Sequence, residues 1–175
     1  MKFSDIPAFS PPNYQIHADW KHLRDTLTML GEGLGGVDMD PPFQRGYVWT
    51  PEQKTAYVEF CLMGGISGNT VYFNCPGWQR DFRGPMQIVD GKQRLSAVMD
   101  FMDGGVPIFG GHYIGDFEDK MDPMKYRFIV CVNDLADPAE VVRWYLALNT
   151  GGAIHTPEEI ARVRKLLEKL ESERR

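Results

Sequence analysis

One helix-starting device occurs three times in this chain, at Thr50-Pro51-Glu52-Gln53, Asp137-Pro138-Ala139-Glu140 and Thr156-Pro157-Glu158-Glu159. In each, a side-chain oxygen can accept from free backbone N–H groups and proline fits the first helical position. An acidic or amide side chain then stands where it can reach back to the cap. The first helix is expected to run through Ala56, Tyr57 and Phe60 to Gly64-Gly65, and the second through Val141, Val142, Trp144, Tyr145 and Leu148 to Gly151-Gly152. The third, over 157–173, carries Ile160, Val163, Leu166, Leu167 and Leu170 and is expected to pack back on the rest. A shorter amphipathic helix follows Asp19, with Trp20, Leu23, Leu27 and Leu30 three or four apart up to Gly31, and the stretch to Gly36 reads as a turn.

Between these helices lie runs rich in β-branched or aromatic residues and bounded by Gly, Pro or Asp: Thr70 to Asn74, Met86 to Asp90, Val106 to Ile108 and Tyr126 to Asn133. Glycine-rich Gly104 to Pro123 has little pattern and reads as a hairpin region. Helices and strands alternate, so the class is α/β (α+β), and 175 residues suit one domain over 1–175 with a helical appendage.

Composition removes several classes of function. No apolar run approaches the roughly 20 residues that cross a bilayer, and Met1 to Pro7 lacks the apolar stretch of a secretory signal, so no membrane partner and a cytoplasmic location are expected. Cys61, Cys75 and Cys131 are odd in number and widely spaced, which fits reduced structural thiols rather than disulfides or a metal knuckle. His17, His22, His112 and His155 show no metal-ligand spacing, and Asp116, Glu118, Asp119 and Asp122 lack calcium-loop spacing. A net charge of −5 excludes a uniformly basic nucleic-acid coat, so an anion site must be local. Positive charge does recur mid-chain, at Arg45, Arg80, Arg83, Lys92 and Arg94.

Two constellations carry chemistry. Gln87-Ile88-Val89 reads as a buried strand and Leu95, Val98, Met99 and Met102 as the core face of a helix, which leaves Asp90-Gly91-Lys92-Gln93-Arg94 at the turn between them. A helix start offers unpaired N–H groups and partial positive charge, Gly91 lets a ligand approach the backbone, and Lys92 and Arg94 add full charges. The competing reading is a plain capped turn in which Asp90 accepts backbone bonds. Met86 and Gln93 stand where a Walker A loop needs Gly and Ser or Thr, so P-loop hydrolysis is set aside. The second constellation, Pro41 to Trp49, gathers Gln44, Arg45, Tyr47 and Trp49 in one loop. It suits stacking a base or holding a phosphate, and equally suits Phe43 and Trp49 as core anchors with Arg45 reaching to solvent.

Pro42-Phe43-Gln44-Arg45 with Trp49, then Val89-Asp90-Gly91-Lys92-Gln93-Arg94-Leu95-Ser96, then Leu148-Asn149-Thr150-Gly151-Gly152, resemble in that order the signatures of the GmrSD-type restriction enzyme N-terminal domain, over roughly Asp38 to Ile160. That family belongs to the ParB/sulfiredoxin-like superfamily, so the resemblance implies a small mixed sheet surrounded by helices. It implies nucleotide binding by Gly91, Lys92, Gln93 and Arg94, with Gln44, Arg45 and Asn149 facing the same pocket. Asp90 and Arg94 become the catalytic candidates for nucleoside triphosphate hydrolysis, and Asp90 the handler of water or of Mg²⁺. The resemblance also implies a restriction, defence or counter-defence setting, phage- or plasmid-borne in one version. DNA, a separate nuclease subunit or further copies of the chain are the partners it suggests. Two departures stand out: Lys92 replaces the family's usual glutamine, and the family's C-terminal HNH-type nuclease has no counterpart before Arg175, so DNA cleavage by that route is not expected. Sulfiredoxin chemistry is disfavoured because no cysteine lies beside Arg94. The rival expectations are a noncatalytic DNA-binding or regulatory module using the same turn, and a scaffold that only dimerises.

Overall fold

The computed structural model describes residues 14–78, 80, 81, 83–150 and 156–173. In chain order they form β1 (Tyr14–Asp19), α1 (Leu23–Gly31), β2 (Val37–Asp38), α2 (Pro51–Leu62), β3 (Thr70–Asn74), β4 (Met86–Asp90), α3 (Lys92–Met102), β5 (Arg127–Asn133), α4 (Pro138–Thr150) and α5 (Pro157–Ser172). The strands make one mixed sheet in the order β1-β5-β3-β4-β2. β1 runs antiparallel to β5 and β4 antiparallel to β3, while β3 lies parallel to β5 and β2 parallel to β4. A mixed sheet flanked by helices is the α+β architecture that the alternating pattern implied.

Side-chain alternation along the central strands splits the core into two layers. Val71 and Phe73 of β3, Met86 and Ile88 of β4, and Phe128, Val130 and Val132 of β5 pack with Leu23, Leu27, Val58, Leu95, Val98 and Phe101 from the first three helices. Val89 turns the other way and joins Phe43, Val141, Val142, Trp144, Tyr145 and Val163, with Tyr72 packed beside them. The second layer brings α4 and α5 over one half of the sheet.

The repeated helix starts behave as their chemistry dictates. Thr50 accepts from Gln53 N while the Gln53 side chain accepts from Thr50 N, and Thr156 with Glu159 repeats that box at α5. Asp137 accepts from Ala139 N at 3.0 Å. Helix α2 nevertheless buries Val58 and Cys61 and leaves Ala56 and Phe60 exposed, because its inner side faces α3.

The strands are less legible. β1 alternates apolar Tyr14, Ile16 and Ala18 toward the core with polar Gln15, His17 and Asp19, a short signal that the sequence reading overlooked, and its backbone pairs with β5 from Tyr14 opposite Val132 to Asp19 opposite Arg127. Asp19 therefore ends a strand, and its carboxylate accepts from His22 N at 3.1 Å, so the helix begins at Leu23 rather than at Trp20. Trp20 is buried against Phe101, Tyr126 and Phe128. Val106 to Ile108 makes no strand: Val106 and Ile108 plug the core, and an isolated bridge joins Ile108 to His112. The expected stop at Gly151-Gly152 and His155 lie outside the described residues. Among the described residues no helix is long and apolar enough to cross a membrane.

Cys61, Cys75 and Cys131 are buried free thiols, and burial raises the pKa of each. Burial likewise raises the hydroxyls of Tyr57, Tyr72 and Tyr145. These groups are neutral when protonated and titrate later in the folded than in the unfolded chain, so their stabilising contribution is complete below the ordinary thiol and phenol values and is lost as pH rises beyond them. Urea midpoints are therefore expected to hold steady to about pH 8 and to fall between about pH 9 and 11.

Candidate functional site

β4 delivers its last residue, Asp90, to the sheet edge, and Gly91 then turns the chain into α3 with φ +103°. A Cβ at Gly91 would stand 2.5 Å from Cγ1 of Val71, so glycine is required there both by backbone conformation and by the approach of β3. Gly91 is also the N-cap of α3, and no side chain caps the helix. The start of α3, from Gly91 to Gln93, lines the same cavity as Thr70 and Tyr72 of β3, the placement that a helix start needs if it is to receive an anion.

The side chains that follow turn inward. Lys92 is 3% exposed, and its ammonium donates to the Asp40 carboxylate and, at 2.9 Å, to the Arg45 carbonyl, with the Tyr47 ring centroid 4.5 Å away. Gln93 Oε1 accepts from Val48 N at 3.0 Å and Trp49 N at 3.3 Å, while Nε2 donates to the Gly46 carbonyl at 2.9 Å. From the opposite side Gln44 Nε2 donates to the carbonyls of Ile88 at 3.2 Å and Val89 at 2.8 Å. The first two signatures are therefore laced together, and the polar ends of Lys92, Gln93 and Gln44 serve the protein's own backbone.

Arg94 is similarly held. Nη1 donates to the Gly68 carbonyl and to the Thr70 carbonyl at 2.7 Å, and Nη2 lies 2.5 Å from Asp90 Oδ2. Tyr57 donates to the same Gly68 carbonyl at 3.0 Å. The Arg94 side chain retains 17% of its exposure and Asp90 29%, so this pair stands at the wall rather than inside the core. The capped-turn reading gave Asp90 a backbone role; the structure gives its carboxylate to Arg94.

All the sequence-derived candidates meet at one cavity of about 740 Å³. Gln44, Arg45 and Trp49 come from the loop before α2, Asp90 to Arg94 from the turn, and Asn149 from the end of α4. Asn149 is buried and donates to the Tyr145 carbonyl one turn back at 2.8 Å. Arg45 Nη1 lies 3.5 Å from Glu159 of α5. Tyr145, beneath the floor, registers the assembled charges: burial raises its hydroxyl pKa, Arg45 and Arg162 pull it down, and Glu159 and Asp90 push it up. Arg80 and Arg83 pair instead with Asp134 and Asp81, away from the lining.

Ser67, Gly68, Thr70 and Tyr72 also line the wall, and sequence reasoning overlooked them. Alternation in β3 carried a signal, since Val71 and Phe73 in the core oblige Thr70 and Tyr72 to the other face. Tyr72 stands opposite Asp90 in the ladder and packs edge-on against Trp144, with ring centroids 5.8 Å apart. Arg162 was overlooked too: it donates to the carbonyls of Pro42 at 2.8 Å and Gln44 at 2.9 Å, a pairing across 120 residues that local pattern cannot reveal. Among the described residues no group of three or more His, Cys, Asp or Glu could hold a metal, so Asp90 is the carboxylate the lining offers to a cation.

Comparisons with curated proteins and with solved structures each give no match. The family model for the GmrSD restriction endonuclease, N-terminal domain, matches residues 27–131, more than half of the 175 residues, and so takes in the loop, β3, β4, the Gly91 turn and α3. On that match and on the interlocked signatures that enclose the cavity, the chain belongs to the GmrSD restriction endonuclease N-terminal domain family, a family of restriction and defence systems.

Proposed function

We propose that this domain binds a nucleoside triphosphate in the cavity at the start of α3 and hydrolyses it slowly. One observation carries the reading: three signatures far apart in sequence wall a single cavity of about 740 Å³. That size falls within the roughly 300–1,000 Å³ of small-molecule sites. A net charge of −5 on the whole chain further favours an enclosed phosphate over a nucleic-acid coat.

The chemistry of the lining supports a divided ligand. Uncapped N–H groups of α3 with Arg94 and Arg45 suit phosphate oxygens, Arg offering parallel N–H donors. Trp49 and Tyr72 offer flat faces to a base. Since Lys92 and Gln93 are committed to the neighbouring loop, their share in binding lies in their backbone amides and in long-range charge. The fit to Mg²⁺ is that of a site with one carboxylate, Asp90, completed by phosphate oxygens and water. Bound there, the ion would supply charge neutralisation. In the proposed hydrolysis a water oxygen bonds to the terminal phosphorus as the bridging P–O bond breaks, giving nucleoside diphosphate, inorganic phosphate and a proton released to solvent. Asp90 orients that water, and Arg94 steadies the charge on the transferred group. A nuclease partner acting on DNA is the setting in which this nucleotide chemistry would serve restriction.

Calorimetric titration with the four common triphosphates, with and without Mg²⁺, is expected to give saturable binding for at least one, accompanied by slow phosphate release. Asp90→Asn is expected to abolish the Mg²⁺-dependent part of that affinity and to lower phosphate release by about 10²-fold or more. Absence of binding by all four to the wild-type chain overturns the reading. DNA retention that falls steeply with salt, in the same protein, would replace it with backbone recognition.

Gln93→Ala separates scaffold from ligand contact. Removing one amide strands three backbone groups, so stability is expected to drop by about 1–3 kcal/mol in urea titrations, with faster proteolysis at 46–49. An unchanged urea midpoint would disprove the clamp.

A further inference from the structure

The family match ends at residue 131, yet α5, beyond it, reaches back onto the first signature. Arg162 donates to the carbonyls on either side of Phe43, at Pro42 and Gln44, and so holds α5 against the loop that presents Arg45. One turn earlier on α5, Glu159 Oε2 stands 3.5 Å from Arg45 Nη1. Among the described residues, the three cations in the cavity wall each face a carboxylate: Lys92 faces Asp40, Arg94 faces Asp90 and Arg45 faces Glu159.

These pairs differ in geometry. Lys92 is almost wholly buried and also bonded to a carbonyl, and Arg94 is fixed by two carbonyls besides its carboxylate. The Arg45–Glu159 contact, at 3.5 Å, is longer than the roughly 2.7–2.9 Å of a charge-assisted hydrogen bond. Glu159 is anchored from its own side, since the same Oε2 accepts from Thr156 N at 3.0 Å in the capping box. Its carboxylate is thereby tied to the start of α5. Both side chains are mostly shielded, at 19% and 25% exposure, so solvent screens their attraction only in part.

We infer that Glu159 is an electrostatic brake on the cavity: it competes with the ligand's phosphate for Arg45, and helix α5 thereby sets how tightly that ligand is held. The inference rests on the triphosphate reading and adds to it a residue outside the family segment. Glu159 acts here through Arg45 and is a positioning residue.

The test is titration of the full chain carrying Glu159→Gln with the triphosphate that the wild type binds, at two salt concentrations. Glutamine keeps the oxygen that caps Thr156 N and removes the charge, so the melting midpoint is expected to stay put while affinity rises about three- to fivefold at low salt and less at high salt. Glu158→Gln removes an exposed charge from the same turn and is expected to leave affinity unchanged. In an Arg45→Gln background the gain from Glu159→Gln is expected to vanish, which a role confined to helix stability would not produce. Equal or weaker binding by Glu159→Gln, or a gain that persists without Arg45, overturns the brake while triphosphate binding by the wild type keeps the broader reading intact. Failure of the wild type to bind any triphosphate removes both.

Discussion

The amide of Gln93 does for the 46–49 loop what a neighbouring strand does for a sheet: it gives one donor and one acceptor to backbone groups that would otherwise stand unpaired. Lys92 continues the seam with its bond to the Arg45 carbonyl, and Gln44 closes it from the other side through the carbonyls of Ile88 and Val89. The loop has no regular structure of its own between Pro41 and Thr50, so its path is set by these side chains. Were they absent, Arg45 and Trp49 would have no reason to stand at the edge of β4, and the cavity would lose one wall.

This arrangement changes how the positive charge in the signatures is understood. Read along the chain, Arg45, Lys92 and Arg94 look like three free cations for one anion. Folded, each faces a carboxylate of the protein, and the site approaches electrical balance. An incoming phosphate would also meet the helix start at Gly91 and Lys92, whose partial positive charge is fixed by the backbone. Full charges would enter by exchange of partners. Such a site resists adventitious anions and responds to one that can satisfy several donors together, which is consistent with a polyphosphate and with the overall acidity of the chain.

The order of stability along the chain has the same origin. Gly91 and Val71 touch so closely that β3, β4 and the start of α3 form one rigid corner, and Val71, Phe73, Ile88 and Leu95 are fully buried around it. The cavity is built on that corner, with the loop and α5 added from outside by hydrogen bonds. Rigid packing fixes the helix start, while the rim that carries Arg45 is held by polar contacts that water and salt can weaken.

Thr50, Thr156 and their partners three residues on made two helix starts readable, because a capping box is closed by residues within one turn. β3 and β4 were readable for a similar reason, β3 being a β-branched and aromatic run and β4 carrying Ile88-Val89, both in the middle of the sheet. β1 and β2 sit at its edges and pair with β5 and β4; the two residues of Val37–Asp38 are too few to announce a strand, while the alternation of Tyr14–Asp19 did carry a signal that was overlooked. Sequence by itself determined the capped helix starts, the central strands and the family, since these follow from residue kinds at short spacing. Only the tertiary structure decided that Lys92 and Gln93 turn inward, that Tyr72 faces Asp90, and that Glu159 and Arg162 reach the first signature. Those outcomes depend on which polar group lies nearest after the chain has closed on itself, and that distance is a property of the packed molecule rather than of any stretch of it.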